Sequence, residues 1–235
     1  MVTATERPAP VAVEIGHAHG VTQAVCWPWP TSDLALLVLH DLGADLDKVR
    51  WLCERFAGAG VHVLSIDLPG HGLSEGDLKR EGPEVVQAAY RSLCESVQGA
   101  VAVVANGASA HLLLSTDLPD PPVAAAFLDP RRDGSMRGHT VSRWLHVPKL
   151  VVLSAGAGSE YGQKIIDDTT AWCLRADLVG LGEDSEDREG FEIHVSTLML
   201  KFLLEQAAFE LSSRRMAASG TGGVAAGAGD AEEPA

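Results

Sequence analysis

Basic residues are scarce in this chain. It carries 18 Lys and Arg against 32 Asp and Glu over 235 residues, a formal net charge of −14. A nucleic-acid binder needs a basic footprint to neutralise phosphates, so no nucleic-acid partner is expected. An acidic chain instead keeps itself in solution and repels anionic surfaces. Aromatic residues make up only 5%. Cysteine is sparse too: Cys26, Cys53, Cys94 and Cys173 lie far apart, with no CxxC pair and no metal-type spacing. They are expected to be reduced, mostly buried thiols of a cytoplasmic protein, and no metal is implied. No apolar run approaches the roughly 18–20 residues of a membrane span. The opening MVTATERPAP has an acid and prolines in place of the apolar core of a signal peptide. Neither a membrane nor secretion is expected.

What is present suits one packed domain. Hydrophobic residues make up 46% of the chain, enough apolar surface to rule out disorder over most of it. Residues 1–10 are polar with prolines, and residues 213–235 are Ala/Gly-rich with an acidic finish. Neither segment can offset its ordering entropy by burial. The expected domain is therefore 11–212, between two disordered ends. Within it, apolar runs alternate with helical periodicity and no internal repeat is found. Strands are expected at 11–15, 22–27, 34–39, 61–66, 100–104, 123–128, 149–153 and 177–181. Helices are expected at 46–57, 83–97, 108–115, 161–175 and 194–211. Runs such as LALLVL at 34–39 are apolar throughout, so both faces of the strand are covered. The fold class is α/β: a three-layer α/β/α sandwich around a mostly parallel sheet. In such a sheet ligands sit outside the carboxyl ends of the strands. Function is to be sought at His40-Asp41-Leu42, Asp67 to Ser74, Asn106 to Ala110, Asp129, and Ser154 to Glu160.

Residues 36–74 contain a strand ending in His40-Asp41, a helix, and a strand ending in Asp67-Leu68-Pro69-Gly70-His71-Gly72-Leu73-Ser74. This pattern resembles the α/β-hydrolase superfamily, whose strands here end in His-Gly and Asp-x-Pro-Gly-His-Gly-x-Ser. The likeness extends more weakly over 11–211. Only about 20 residues separate Leu128 from Lys149, too few for a large lid, so the resemblance implies an α/β-hydrolase fold without a large cap.

The resemblance also implies acyl transfer from a nucleophile on a tight strand-to-helix turn, G-x-S-x-G, with a histidine and an orienting acid. The corresponding stretch reads Val104-Ala105-Asn106-Gly107-Ala108-Ser109-Ala110. Aligned on the strand end, Gly107 takes the nucleophile's place and Ser109 that of the last glycine, so no attacking oxygen is present. In that register Ser109 starts and caps the next helix. A rival register starts at Gly107 and keeps Ser109 as nucleophile. It places bulky His111 where glycine is preferred and prolongs the strand through Asn106 and Gly107, which are poor strand residues. The acid should follow the strand KLVVL, but Ser154 to Glu160 holds no aspartate. Glu160 is one substitute, with an N-terminal helix charge as its plainer role; Asp129 is the other. His194, before an amphipathic helix, matches the catalytic histidine. The acids of Glu183 to Glu192 beside it read as a solvated face able to raise its pKa. Backbone N–H groups of Leu42 and Ala108 are expected to point at the cavity as oxyanion donors. Asp41, in place of glycine, would oppose negative charge there. His71 and Ser74 are read as turn anchors.

The sequence thus points to a hydrolase fold with a degenerate triad, with catalytic candidates His194, Ser109, Glu160 and Asp129. The binding candidates are His40, Asp41, Leu42, Asn106, Gly107 and Ala108. Such a protein is either a noncovalent acid/base enzyme on a small carbonyl substrate, of lyase or cyclase type, or a pseudoenzyme. The alternatives are a serine esterase or thioesterase using Ser109, acting on a small ester or thioester, and a noncatalytic protein-interaction module. Trp27, Trp29 and Trp144 would then be candidates for exposed aromatics in contact with a protein partner or a second copy, with cover for the core as their plainer role. No cofactor is implied, because there is no phosphate-cradling glycine loop and no ligand cluster.

Overall fold

The computed structural model describes residues 9–134, 144–154, 160–168, 173–178 and 187–220. Eight strands form one sheet: β1 (Val11–His17), β2 (Gly20–Trp27), β3 (Leu34–Leu39), β4 (His62–Ile66), β5 (Ala100–Asn106), β6 (Ala125–Leu128), β7 (Lys149–Ser154) and β8 (Cys173–Leu178). Their spatial order is β1-β2-β4-β3-β5-β6-β7-β8. β1, β2 and β4 pair antiparallel, and every pairing from β4 across to β8 is parallel. Helices α1 (Arg50–Gly58), α2 (Leu78–Ser96), α3 (Ser109–Ser115), α4 (Glu160–Asp168) and α5 (Arg188–Gly220) connect the strands, with a 3-10 turn at Leu46–Val49 ahead of α1.

The alternation of side chains along each strand builds two cores. From β3, Leu37 and Leu39 join Val86, Tyr90 and Leu113 of α2 and α3 on one face. Leu36 and Val38 join Leu52 and Phe56 of α1 and Val195, Met199 and Leu203 of α5 on the other. Every residue of β3 is buried, as a central strand covered on both sides requires. The expected three-layer α/β/α architecture is present. Residues 129–148 join β6 to β7, and those described among them form no cap.

Several elements differ from the expectation, each for a local reason. α2 begins at Leu78, not Pro83, because the Asp77 carboxylate caps the N–H of Lys79 at 2.9 Å. The chain at 161–175 does not stay helical: α4 ends at Asp168, and β8 takes Cys173–Leu178 in place of the expected 177–181. A short apolar stretch there fits either period. α5 begins at Arg188, where Asp187 accepts the N–H of Gly190 at 2.7 Å, so His194 lies inside the helix. α5 also runs to Gly220, past the boundary expected at 212. Its Arg, Met and Ala residues are good helix formers, and Arg214 pairs with Glu210 at 2.9 Å. The remaining ends, 1–8 and 221–235, lie outside the described residues. Trp27 and Trp144 are buried and cover the core, which removes them as exposed aromatics, and half-buried Trp29 donates its indole N–H to the Ala57 carbonyl at 2.8 Å. No described helix is long and apolar enough to cross a membrane.

Candidate active site at the carboxyl ends of the strands

Three loops meet beyond β3, β4 and β5. The loop after β4 is a rigid support. Buried Asp67 accepts the N–H of Leu46 and of Leu73, each at 2.9 Å. A Cβ on Gly72 would overlap that carboxylate, and Gly72 has φ +54, so glycine is needed twice over. Ser74 accepts the N–H of Gln23 at 2.8 Å and donates to Thr22 Oγ1, whose own hydroxyl donates to the Asp67 carbonyl. Two histidines tie this loop to the one after β3. Nδ1–H of His40 donates to the Asp41 carbonyl at 2.8 Å, and its Nε2 accepts the N–H of Leu68 at 3.0 Å. His71 likewise donates to the Pro69 carbonyl and accepts the N–H of Gly43. Each ring thus donates through one nitrogen and accepts through the other. Burial lowers the pKa of His40, with the Asp41 carbonyl opposing that shift.

The corner after β5 turns at Gly107, whose φ is +61. β5 continues through Asn106, which pairs with Leu128, and α3 starts at Ser109. The Asp41 carboxylate lies directly against this corner. Its Oδ1 accepts the N–H of Ala108 at 2.7 Å and its own neighbour's, Leu42, at 2.8 Å. The Arg131 guanidinium donates to its Oδ2. Arg131 is itself fixed by its main chain, which donates to the Gly107 carbonyl at 3.0 Å, while Gly107 donates to the Leu128 carbonyl at 2.8 Å. A Cβ built on Gly107 would overlap the Asp41 carboxylate. One charged group thus occupies both backbone donors and the space a side chain at 107 would need.

Solved structures of similar fold are found among known hydrolases. The hydrolase GrgF from Penicillium sp. sh18 matches with a TM-score of 0.69 at 13% identity, over 85% of this chain and 99% of that chain. An alpha-beta serine hydrolase homologue from Coxiella burnetii matches at 0.65 and 13%, over 81% and 96%. An esterase of Pyrococcus furiosus matches at 0.63 and 13%, over 83% and 91%. The protein has the α/β-hydrolase fold. No model of a known protein family matches the sequence, and neither does any curated protein.

In a hydrolase of this fold the oxyanion donors are the N–H after the nucleophile and one from the loop after β3. In this chain the N–H groups of Leu42 and Ala108, expected from the sequence to face a cavity, both donate to the Asp41 carboxylate. Ser109 is fully buried, and its hydroxyl donates to the Asn106 carbonyl at 2.8 Å with a longer approach of 3.4 Å to that of Leu39. Asp129, at φ +45, faces β7: its carboxylate accepts the N–H of Ser154 at 2.7 Å and the Ser154 hydroxyl. Glu160 is the exposed first residue of α4, and the loop 155–159 before it lies outside the described residues. His194 is not in a loop ahead of α5. It is exposed on the helix, and its Nδ1–H donates to the Gly190 carbonyl at 2.8 Å. The acids at 183–186 beside it also lie outside the description. No hydrogen bond among the described residues joins His194 to Ser109, Asp129, Glu160 or Asp41.

The structure thus brings together Asp41, Leu42, Gly107 and Ala108, next to Asn106 and His40, and among the described residues each of Ser109, Asp129 and His194 bonds to a partner outside the candidate set. Sequence reasoning missed Arg131. A signal was available: once Asp41 is placed at the corner it needs a counter-charge. Among the described residues, Arg131 and Arg132 are the only Lys or Arg in the loops that leave the carboxyl ends of β3 to β7 before the next helix or 3-10 turn.

Proposed function

We propose that this is an α/β-hydrolase-fold protein without serine-hydrolase chemistry, a pseudoenzyme whose nucleophile corner has been rebuilt around Asp41. The observation that carries the reading is the Asp41 carboxylate on the N–H groups of Leu42 and Ala108, in the space beside Gly107. A tetrahedral oxyanion sharing those donors would stand about 4 Å or less from a carboxylate. At an effective dielectric near 20 that is about 4 kcal/mol of repulsion, where a hydrolase needs attraction. The exposed placement of His194 on α5 supports the same reading and argues against a noncovalent acid/base role for it. Three described cysteines, Cys26, Cys53 and Cys94, are free, which suits the reducing cytoplasm. A pseudoenzyme of this kind works by binding, to a small carbonyl compound or to a protein partner.

The test is exposure of the purified chain to a fluorophosphonate, with intact-mass readout, alongside hydrolysis of short p-nitrophenyl esters. We expect no adduct, and ester turnover at the level of buffer in both the wild type and Ser109→Ala. Stoichiometric labelling of Ser109, with activity falling by several powers of ten in Ser109→Ala, would establish the esterase alternative instead. Esters are the substrates that alternative borrows from the Pyrococcus esterase of the same fold.

A further inference from the structure

Both oxygens of the Asp41 carboxylate are bound as those of a captured ligand would be. Two backbone donors from different elements, the loop after β3 and the turn after β5, converge on Oδ1, and a guanidinium takes Oδ2. We propose that Asp41 is a resident anion: its carboxylate closes a carboxylate-binding site formed by Leu42, Ala108 and Arg131, and a small monocarboxylate takes that place when Asp41 is withdrawn. This deepens the reading above and rests on it, because a corner kept for acyl transfer must stand open.

The main chain that carries each donor is held by bonds other than those to Asp41. Ala108 follows Gly107, whose N–H is tied to the Leu128 carbonyl, and Arg131 is tied to Gly107 through its own main-chain N–H. The loop carrying Leu42 is held at Gly43 by His71 and at Leu46 by Asp67. Gly107 leaves open volume beside the donors once the carboxylate is gone. Solvent can reach the position, since the Asp41 side chain is 20% exposed and that of Arg131 58%. The intact chain resists exchange for a simple reason. A tethered carboxylate binds intramolecularly, and a free one has to outcompete its effective concentration.

The experiment uses the full-length chain with Asp41→Ala, Asp41→Asn and the wild type, in sodium formate up to ~100 mM against sodium chloride at matched ionic strength. Thermal unfolding and amide NMR spectra are the readouts. Formate is expected to raise the Tm of Asp41→Ala saturably by about 3 °C more than chloride, and to shift the Leu42 and Ala108 amide resonances most. Wild type and Asp41→Asn, whose site stays filled, are expected not to respond. An Asp41→Ala chain that responds equally to both salts overturns the proposal. If Asp41→Ala does not fold, the wild type decides by hydrogen exchange. Slow exchange at Leu42 and Ala108 sustains the resident anion, and exchange at the rate of open amides overturns it. A formate-blind Asp41→Ala leaves the pseudoenzyme reading standing; fluorophosphonate labelling of Ser109 removes that reading by a separate measurement.

Discussion

Gly107 and Asp41 exclude one another's alternatives. A serine at 107 would sit at φ +61, which costs about 1–2 kcal/mol for a residue with a Cβ. It would also push the Asp41 carboxylate off two backbone donors, and hydrogen bonds to a charged group contribute roughly 1.5–3 kcal/mol each. Gly107→Ser is therefore expected to lower stability by about 4–8 kcal/mol in urea unfolding. In an Asp41→Gly background the same change is expected to cost only about 1–2 kcal/mol, the backbone part alone. Equal costs in the two backgrounds would show that the two positions do not interact.

Among the elements, α5 is divided by what it covers. Val195, Met199 and Leu203 are fully buried against the sheet, and the last buried residue is Ala207. Leu203→Ala is expected to cost about 2–5 kcal/mol. A chain ending after Ser212 is expected to keep its Tm within about 2 °C, because exposed segments contribute little. A large drop on truncation would mean that the exposed end of α5 packs on something. The elements also differ in how well the sequence announced them. β3 was legible because a central parallel strand is apolar on both faces, and the turn from Asp67 to Ser74 because its glycines and its carboxylate are mutually required. α5 was misplaced at its start because His194 was assigned by its likeness to a catalytic residue, while the capping Asp187 was overlooked. β8 was displaced because Cys173 to Leu178 carries too weak an alternation to separate strand from helix. The site was half legible. Gly107 at the turn can be read from the strand that precedes it, but the carboxylate beside it lies 67 residues before Ala108, whose N–H it accepts, and 90 before its guanidinium partner.

For the whole molecule, the expected pH response follows from buried imidazoles. His40 and His62 both have pKa values lowered from 6.5, in each case chiefly by burial. His40 faces Asp41, Asp45, Asp67 and His71, and its Nε2 accepts an N–H that protonation would expel. The unfolded chain then binds more protons than the folded one below about pH 6.5, so stability falls as pH drops through that value. The urea midpoint is expected to be flat above pH 7 and to decline between pH 6.5 and 5, with a shallower decline in His40→Gln. A midpoint that rises on acidification would contradict the assignment. Burial raises the pKa of the Cys26, Cys53 and Cys94 thiols, that of Cys53 to about 12, so none of the three titrates over this range. The Asp41 bridge has a consequence for descent as well. A mutation placing a hydroxyl at 107 first meets the carboxylate, and one removing the carboxylate first strands two amides and a guanidinium. Either opening move lowers fitness of the fold before the second can repay it, so a lineage that has acquired this pair is held there as by a ratchet.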